Sequence, residues 1–413
     1  MKENLKRNFF WNTLGSLSYY AAQWAISMLV LRLVGIEQSG LFTTAFTVTN
    51  TFITLASYGM RTYQVADLQG KHSFRAYLYS RLFSCTAASI LCILLMFVIN
   101  YSMQQRIVII LCLAYRITEP ISDVLEGECQ KAGRLDIGGK SYVLRSFTTI
   151  LPFFTGIIIF KSISFTLAIM AILSWAVVII YDIPRCMHYK KDAGERKVIP
   201  LLYICAPLAL YAVLGTASAS IPKFFLERVL GSDKLGIYGP VTAPVLVLQM
   251  GATYLFTPLI SIFSQYYAQR DTAAFKRLTL RIGIIITAML PIGLLGAALV
   301  GEWGLATFVS VKYVKYEYLL QPMVVSAVLT ALVLYASMLL TILDARKGLV
   351  ISNLLGIITA ALICAPLLKI FDMQGATYAA ILALCVQLIG MIIFGIKSAK
   401  QYFSIKEIKP EGC

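Results

Sequence analysis

The stretch Ser220-Ile-Pro-Lys-Phe-Phe-Leu-Glu-Arg-Val-Leu-Gly-Ser-Asp-Lys-Leu-Gly-Ile-Tyr238 decides the reading of the chain. Its second part, Arg228-Val-Leu-Gly-Ser-Asp-Lys-Leu-Gly-Ile-Tyr238, repeats the plan of Arg32-Leu-Val-Gly-Ile-Glu-Gln-Ser-Gly-Leu-Phe42. Both read Arg, two apolar residues, Gly, an acid two places on, Gly, an apolar residue and an aromatic. Arg228 follows Arg32 by 196 residues, close to half of the 413-residue chain. Two similar halves are expected, and the second opens with a lysine, Lys223, inside an apolar run.

Composition sets the solvent. Hydrophobic residues make up 59% of the chain and charged ones 14%, against roughly 25% charged in a soluble domain. The mean hydropathy is +0.77. A water-soluble fold of this length could not hide so much apolar surface, so the chain reads as an all-α integral membrane protein. Its net charge of +16 does not point to nucleic acid, because the cations sit in short connections between apolar runs. The nine cysteines are scattered and form no Cys-x-x-Cys pair, so neither zinc nor a disulfide framework is indicated. His72 and His188 lie in predicted loops far apart in sequence, and no metal site is expected. Lys2, Lys6 and Arg7 precede an apolar run reaching Val34, which is too long for a signal-peptide core and reads as a retained helix.

A span needs ~20 apolar residues. Twelve are expected, at about 9–34, 38–64, 78–100, 105–129, 138–160, 163–185, 199–230, 235–266, 275–300, 318–343, 348–368 and 375–396. The even count and basic start place both termini in the cytoplasm. Of 36 Lys and Arg residues, 26 fall on the inner side of this topology and 8 on the outer; Arg116 and Lys223 lie inside spans. That asymmetry favours the orientation. Six spans per half make the repeat parallel, with a central cavity between two lobes. The expected organisation is an N-terminal lobe over 1–185, a cytoplasmic linker over 186–198, a C-terminal lobe over 199–396 and a basic tail over 397–413. Prolines such as Pro120, Pro222 and Pro291 suit bent, rocking helices, although membrane helices tolerate proline in any case.

Ionisable residues inside spans mark candidate sites, since each costs at least ~2.5 kcal/mol unless it faces water or a partner. Span 4 carries Arg116, Glu119, Asp123, Glu126 and Gln130 at steps of three and four, one helical face. Either this face handles substrate and a coupling ion, or Arg116 and Glu119 form an internal pair and the remaining acids lie near the cytoplasm. Span 7 carries Thr216, Ser220, Lys223 and Glu227 on one face. Lys223 contacts substrate, snorkels outward or pairs with Glu227. Polar faces on span 1 (Gln23), span 2 (Asn50, Arg61) and span 8 (Gln249, Thr253) complete the candidate cavity wall; single Ser and Thr positions are more often helix–helix hydrogen bonds. Gly139-Lys140-Ser141 mimics the end of a phosphate loop, but Arg134 stands where its first Gly must be.

Three stretches resemble the polysaccharide-repeat flippases (Wzx type) of the MOP superfamily, which also holds the lipid II flippases and MATE exporters. They are Tyr58-Gly-Met-Arg-Thr-Tyr-Gln-Val-Ala-Asp67 with Phe74, Tyr77 and Arg81; Asp123-Val-Leu-Glu-Gly-Glu-Cys-Gln-Lys-Ala-Gly-Arg-Leu-Asp-Ile-Gly-Gly-Lys-Ser141 with Arg145; and Ile221-Pro-Lys-Phe-Phe-Leu-Glu-Arg-Val-Leu-Gly231 with Gly236-Ile-Tyr238. Many relatives carry an acid directly before the basic residue of span 7, where this chain has Pro222. The resemblance implies a MOP-like fold and transfer of a saccharide on a polyprenyl pyrophosphate from the inner to the outer leaflet of a bacterial cytoplasmic membrane. The product feeds a surface polysaccharide such as O-antigen, capsule or exopolysaccharide. It implies no enzymatic step. A pyrophosphate needs buried cations, so Arg116 and Lys223 are the first candidates for substrate binding, with Arg61, Asn50, Gln23 and Gln249 beside them. Glu119, Asp123 and Glu227 are candidates for proton or sodium coupling. No cofactor or metal is expected. The expected partners are the lipid-linked oligosaccharide, membrane lipids, and a polysaccharide polymerase with its chain-length machinery; nucleic acid is not one, and a monomer is expected. A MATE-like exporter of cationic drugs and a membrane-embedded polymerase are the competing readings. The first would place acids rather than bases deepest, and the second would need a larger outer loop.

Overall fold

The two halves of the repeated motif break their helices in the same way. In a computed structural model of the chain, which describes residues 2–67, 71–189, 194–245, 260–343 and 345–404, Gly35 has φ 79° and Gly231 has φ 93°. Both lie in the left-handed region that only glycine adopts freely. The break at Gly35 divides helix α1 (Lys2–Ser57) into two arms, which are the first two expected spans. Tyr58 and Gly59 also take positive φ and start α2 (Met60–Ala66) on a new line.

The first half continues with α3 (Phe74–Val98), α4 (Met103–Arg116), α5 (Thr118–Lys131), α6 (Leu135–Phe160) and α7 (Ile163–Ala176). A π-helical turn (Val177–Asp182) joins α7 to α8 (Ile183–Met187). Starts are fixed locally. Ser73 caps α3 by accepting from the Ala76 N–H, and Ser102 and Gln105 form a reciprocal capping box on α4. The second half holds α9 (Val198–Leu230), α10 (Ser232–Thr242), α11 (Ile260–Ala268), α12 (Thr272–Gly304), α13 (Leu320–Ile342), α14 (Arg346–Phe371) and α15 (Met373–Ser404). A π-turn and a 3-10 segment over Leu305–Leu319 connect α12 to α13.

Among the described residues, eight helical runs are long and apolar enough to cross a membrane. Two of them, Lys6–Ser57 and Thr272–Ile342, are 52 and 71 residues long, enough for two crossings each at 1.5 Å per residue. Those eight runs therefore account for ten of the twelve expected spans. The fourth is divided by a turn at Ile117 into α4 and α5, 14 residues each, and neither is long enough to cross alone. The eighth is partly outside the described residues. No strand occurs among the described residues, and the fold is all-α with apolar membrane-length helices, as expected from the sequence.

Contacts divide the chain into two compact units, Met1–Thr216 with Ser232–Pro240, and Ala217–Gly231 with Val241–Cys413. In the first, Ile26, Val30, Phe42, Ala45, Cys112, Phe153 and Leu167 form the largest core cluster. Lipid gives no hydrophobic drive for helices to associate, so close packing must hold them. Gly15 of α1 and Gly139 of α6 meet backbone to backbone, and no Cβ fits at either. That contact explains the Gly139-Lys140-Ser141 triplet: Gly139 is a packing glycine, and Lys140 stacks over the Trp11 ring at 5.1 Å. Outward faces are apolar, as at Ile159, Ile180, Leu299 and Ile370, which suits a lipid surround.

The expected solvated linker is partly docked. The Glu195 N–H donates to the Lys71 carbonyl (2.9 Å), and the Ser73 N–H donates to the Glu195 carbonyl (3.0 Å). Lys190 and Lys191 lie outside the described residues.

Candidate functional site

Span 4 positions the site. Pro120 falls in the first turn of α5, where its missing N–H is tolerated, and a turn at Ile117 separates α4 from α5. Beyond that turn Glu119, Ser122, Asp123 and Glu126 line a cavity of about 400 Å³ within the first unit. Tyr19, Tyr20, Arg61, Tyr142 and Arg145 close it from α1, α2 and α6.

Two linked polar clusters border this cavity. In one, Arg61 Nη1 reaches Asp123 Oδ1 at 2.9 Å and Glu126 Oε2 at 3.0 Å, while its Nη2 donates to Gln130 Oε1 at 3.2 Å. The other Asp123 oxygen accepts from Arg81 Nη2 at 2.9 Å. Arg81 is fully buried and also donates to the carbonyls of Ala56 and Ser57, the last residues of α1. In the second cluster Arg116 Nε pairs with Glu119 Oε1 at 3.3 Å and Nη1 donates to Asn50 Oδ1 at 3.3 Å. Its guanidinium lies 5.3 Å above the Phe46 ring. Tyr19 Oη donates to Glu119 at 3.0 Å, and Gln23 Nε2 donates to Tyr19 Oη (3.2 Å) and Tyr115 Oη (2.8 Å). Behind both, Arg145 pairs with Asp182 at 3.2 Å and Ser122 bridges the two. Asp182 closes a π-helical turn and is fully buried; such turns are frequent at functional sites.

Six sequence candidates thus fall together: Gln23, Asn50, Arg61, Arg116, Glu119 and Asp123. The Arg116–Glu119 pair and the cavity face coexist, since Glu119 takes part in both. Four arginines (61, 81, 116, 145) face four carboxylates (119, 123, 126, 182), so the clusters are charge-balanced.

Lys223 and Glu227 belong to the second unit. Of the three alternatives for Lys223, the local pair with Glu227 does not form; Glu227 pairs with Arg228 at 3.6 Å. Lys223 is half-buried and has no hydrogen-bond or ion-pair partner among the described residues. Gln249 and Thr253 lie outside the described residues.

Arg61, Arg81 and Arg145 each point at a carboxylate within the first unit. A basic residue a turn or two inside a span can anchor to lipid or pair inward, and sequence spacing does not choose between the two. Asp182 was missed; an acid directly after the apolar run Trp175–Tyr181 is the signal that could have found it.

Outside the spans, Asp67 clamps the loop before α3. Burial works to raise its pKa, but hydrogen bonds from the His72 and Lys71 N–H groups and the Tyr77 hydroxyl outweigh it and hold the carboxyl below its ordinary value.

Helices with apolar outer faces around a buried polar cavity suit a fold embedded in a membrane. The solved structures most informative here are MATE transporters. An inward-facing multidrug resistance MATE family transporter of the MOP superfamily superposes with a TM-score of 0.68 at 12% identity, over 97% of this chain and 96% of that one. The bent form of the MATE transporter VcmN from Vibrio cholerae gives 0.60 at 12% identity, over 98% of each. No protein-family profile matches the chain. In sequence it is 23% identical over 298 residues to the capsular polysaccharide biosynthesis protein CapF of Staphylococcus aureus, spanning 69% of this chain and 72% of that one. The fold is that of MOP-superfamily transporters, and the chain is a distant homologue of a polysaccharide biosynthesis protein. Both findings support the resemblance to the MOP-type polysaccharide flippases.

Proposed function

We propose that the chain is a flippase that moves a polyprenyl-pyrophosphate-linked oligosaccharide from the inner to the outer leaflet of a bacterial cytoplasmic membrane by alternating access. Both termini face the cytoplasm, and the product feeds a surface polysaccharide. The observation that carries this reading is Lys223. A half-buried cation with no partner among the described residues is costly in an apolar helix, and an anionic substrate group removes the cost. Arg116 supplies a second cation, already compensated by Glu119; an incoming pyrophosphate competes for it with that carboxylate. The polar cavity accepts hydroxyl groups through Tyr19, Tyr20, Tyr142 and the carboxylates, and the polyprenyl tail stays in lipid. Glu119, Asp123 and Glu227 are the proposed groups for coupling to a proton or sodium gradient. A polymerase with its chain-length machinery is the proposed downstream partner.

A second reading has one observation in its favour. The first-unit cavity carries three carboxylates, Glu119, Asp123 and Glu126, which suits export of organic cations. Against it, each of these carboxylates is held by an arginine, and Lys223 has no partner among the described residues.

Deleting the gene in its host and following the lipid-linked saccharide separates the readings. The flippase reading expects intermediates to accumulate on the inner leaflet, wild type to clear them, and normally inserted Lys223→Ala and Arg116→Ala variants to clear them poorly. Normal surface glycan with no accumulation and no redundant flippase, accompanied by lost drug resistance, moves the assignment to the exporter.

A further inference from the structure

The second unit contains a groove that none of the site residues above touches. It has a volume of about 720 Å³, within the range of small-molecule sites. Two helical faces build it. Glu317, Gln321 and Val325 follow one another at steps of four where the 3-10 segment runs into α13, and Gln374, Tyr378 and Ile381 line up along the start of α15.

The lining is ordered and sparing in charge. Tyr378 Oη donates to Gln374 Oε1 at 3.3 Å, and Gln374 Nε2 donates to the Tyr318 carbonyl at 3.2 Å. This chain fixes both amide orientation and ring position. The side chains of Gln321 and Glu317 carry no hydrogen-bond partner among the described residues, so their polar atoms are available to a ligand. Gly301 leaves room for Glu317: a Cβ there would lie 3.3 Å from its Oε1. No cation lines the groove; the neighbouring Lys315 is turned onto the Tyr316 ring at 5.2 Å.

Those features match one ligand chemistry. A pyranose has an apolar C–H face, which lies against the negative face of an aromatic ring. Its vicinal hydroxyls pair with planar amides and carboxylates, which offer donors and acceptors side by side. A phosphate finds no cation here and meets Glu317. We infer that this groove is a saccharide subsite, holding the sugar part of the transported glycolipid at the end of the second unit where α13 and α15 begin. It rests on the flippase reading for the source of the sugar, and on the proposed orientation, which makes that end the outer one. A groove that reads sugar but not pyrophosphate lets the glycan be held while the pyrophosphate is held elsewhere.

The test uses the full chain in lipid nanodiscs and saturation-transfer NMR with chitotriose and maltotriose, which do not depend on the glycan the host makes. Saturation transfer to at least one of them is expected. It is expected to weaken about three- to tenfold in Gln321→Ala and Tyr378→Ala, the scale of one hydrogen bond or one aromatic contact. Tyr378→Phe keeps the ring and is expected to lose less. Added inorganic pyrophosphate is expected to change nothing. Co-reconstituted lipid-linked saccharide is expected to displace the free sugar. No transfer from wild type, equal transfer from Gln321→Ala and Tyr378→Ala, displacement by pyrophosphate, or no displacement by the glycolipid each overturns the inference. A deletion strain with normal glycan would instead remove the flippase reading and leave the sugar-binding result standing.

Discussion

Gly40 and Gly236 pack backbone against backbone. A Cβ on Gly236 would lie 2.7 Å from Gly40 Cα, and a Cβ on Gly40 would lie 2.5 Å from the Ser232 carbonyl. Ser39 Oγ seals the contact by donating to the Gly236 carbonyl at 2.6 Å. These glycines occupy the same place in the two copies of the repeated motif, so the duplicated stretch meets itself within the first unit. The repeat is conspicuous in sequence because each copy must offer a left-handed glycine to break its helix and a second glycine to let the backbones touch.

Substituting Val at Gly236 is therefore expected to destabilise the protein by about 1–3 kcal/mol, the usual cost of overpacking. Gly283→Ala is the control, because nothing lies within 4 Å of a Cβ there, and it is expected to be neutral or slightly stabilising. Thermal unfolding of the detergent-solubilised variants measures both. An unchanged midpoint for Gly236→Val contradicts the close approach.

Arg81 is expected to be a structural residue. It bonds the end of α1 and holds Asp123 opposite Arg61. Arg81→Ala leaves the half-buried Asp123 with Arg61 and removes the bonds to the end of α1, and the loss of charge-assisted hydrogen bonds costs about 1.5–3 kcal/mol. Asp123→Asn in the same chain is expected to recover part of that loss. A double-mutant cycle on unfolding midpoints reads the coupling, and simple additivity would show that the pair is not coupled.

Much of this was legible in the sequence because membrane helices announce themselves by length and their functional faces by charge. The steps from Arg116 to Gln130 placed Glu119, Asp123 and Glu126 on the face that lines the cavity. What the sequence lacked was partner choice. Nothing in the spacing told that Arg61 meets Asp123 and Glu126, that Arg145 meets Asp182, or that Glu227 prefers Arg228 to Lys223. Those pairings arise between helices, where contacts are set by packing. Asp182 was hidden for a further reason: a π-turn changes its facing, and hydropathy periodicity assumes a regular helix.

The loop before α3 is expected to loosen in acid. The folded-state pKa of Asp67 lies below its ordinary value of 3.8, so the clamp on the His72 and Lys71 N–H groups is fully present above that value. It is lost as pH falls through the lowered one. Protease accessibility at Lys71–Ser73 is expected to rise over that acid window in wild type. Asp67→Asn is expected to be more accessible at neutral pH and nearly flat with pH. A parallel acid response in the variant would place the titrating group elsewhere.

Lys223 is expected to behave oppositely to Arg81. It has no protein partner among the described residues, so its removal orphans no carboxylate and relieves the cost of a cation in an apolar helix. Lys223→Gln should therefore melt at the same temperature as wild type or higher. Transport of the lipid-linked saccharide should fall by at least about tenfold, the scale of one charge-assisted hydrogen bond. Lys223→Arg should retain more transport than Lys223→Gln, because it keeps the charge and adds donors suited to phosphate oxygens. Stability gained with function lost is the pattern of a residue held for its ligand. Lower stability with transport intact would mark Lys223 as structural, and the anion contact would have to be sought elsewhere.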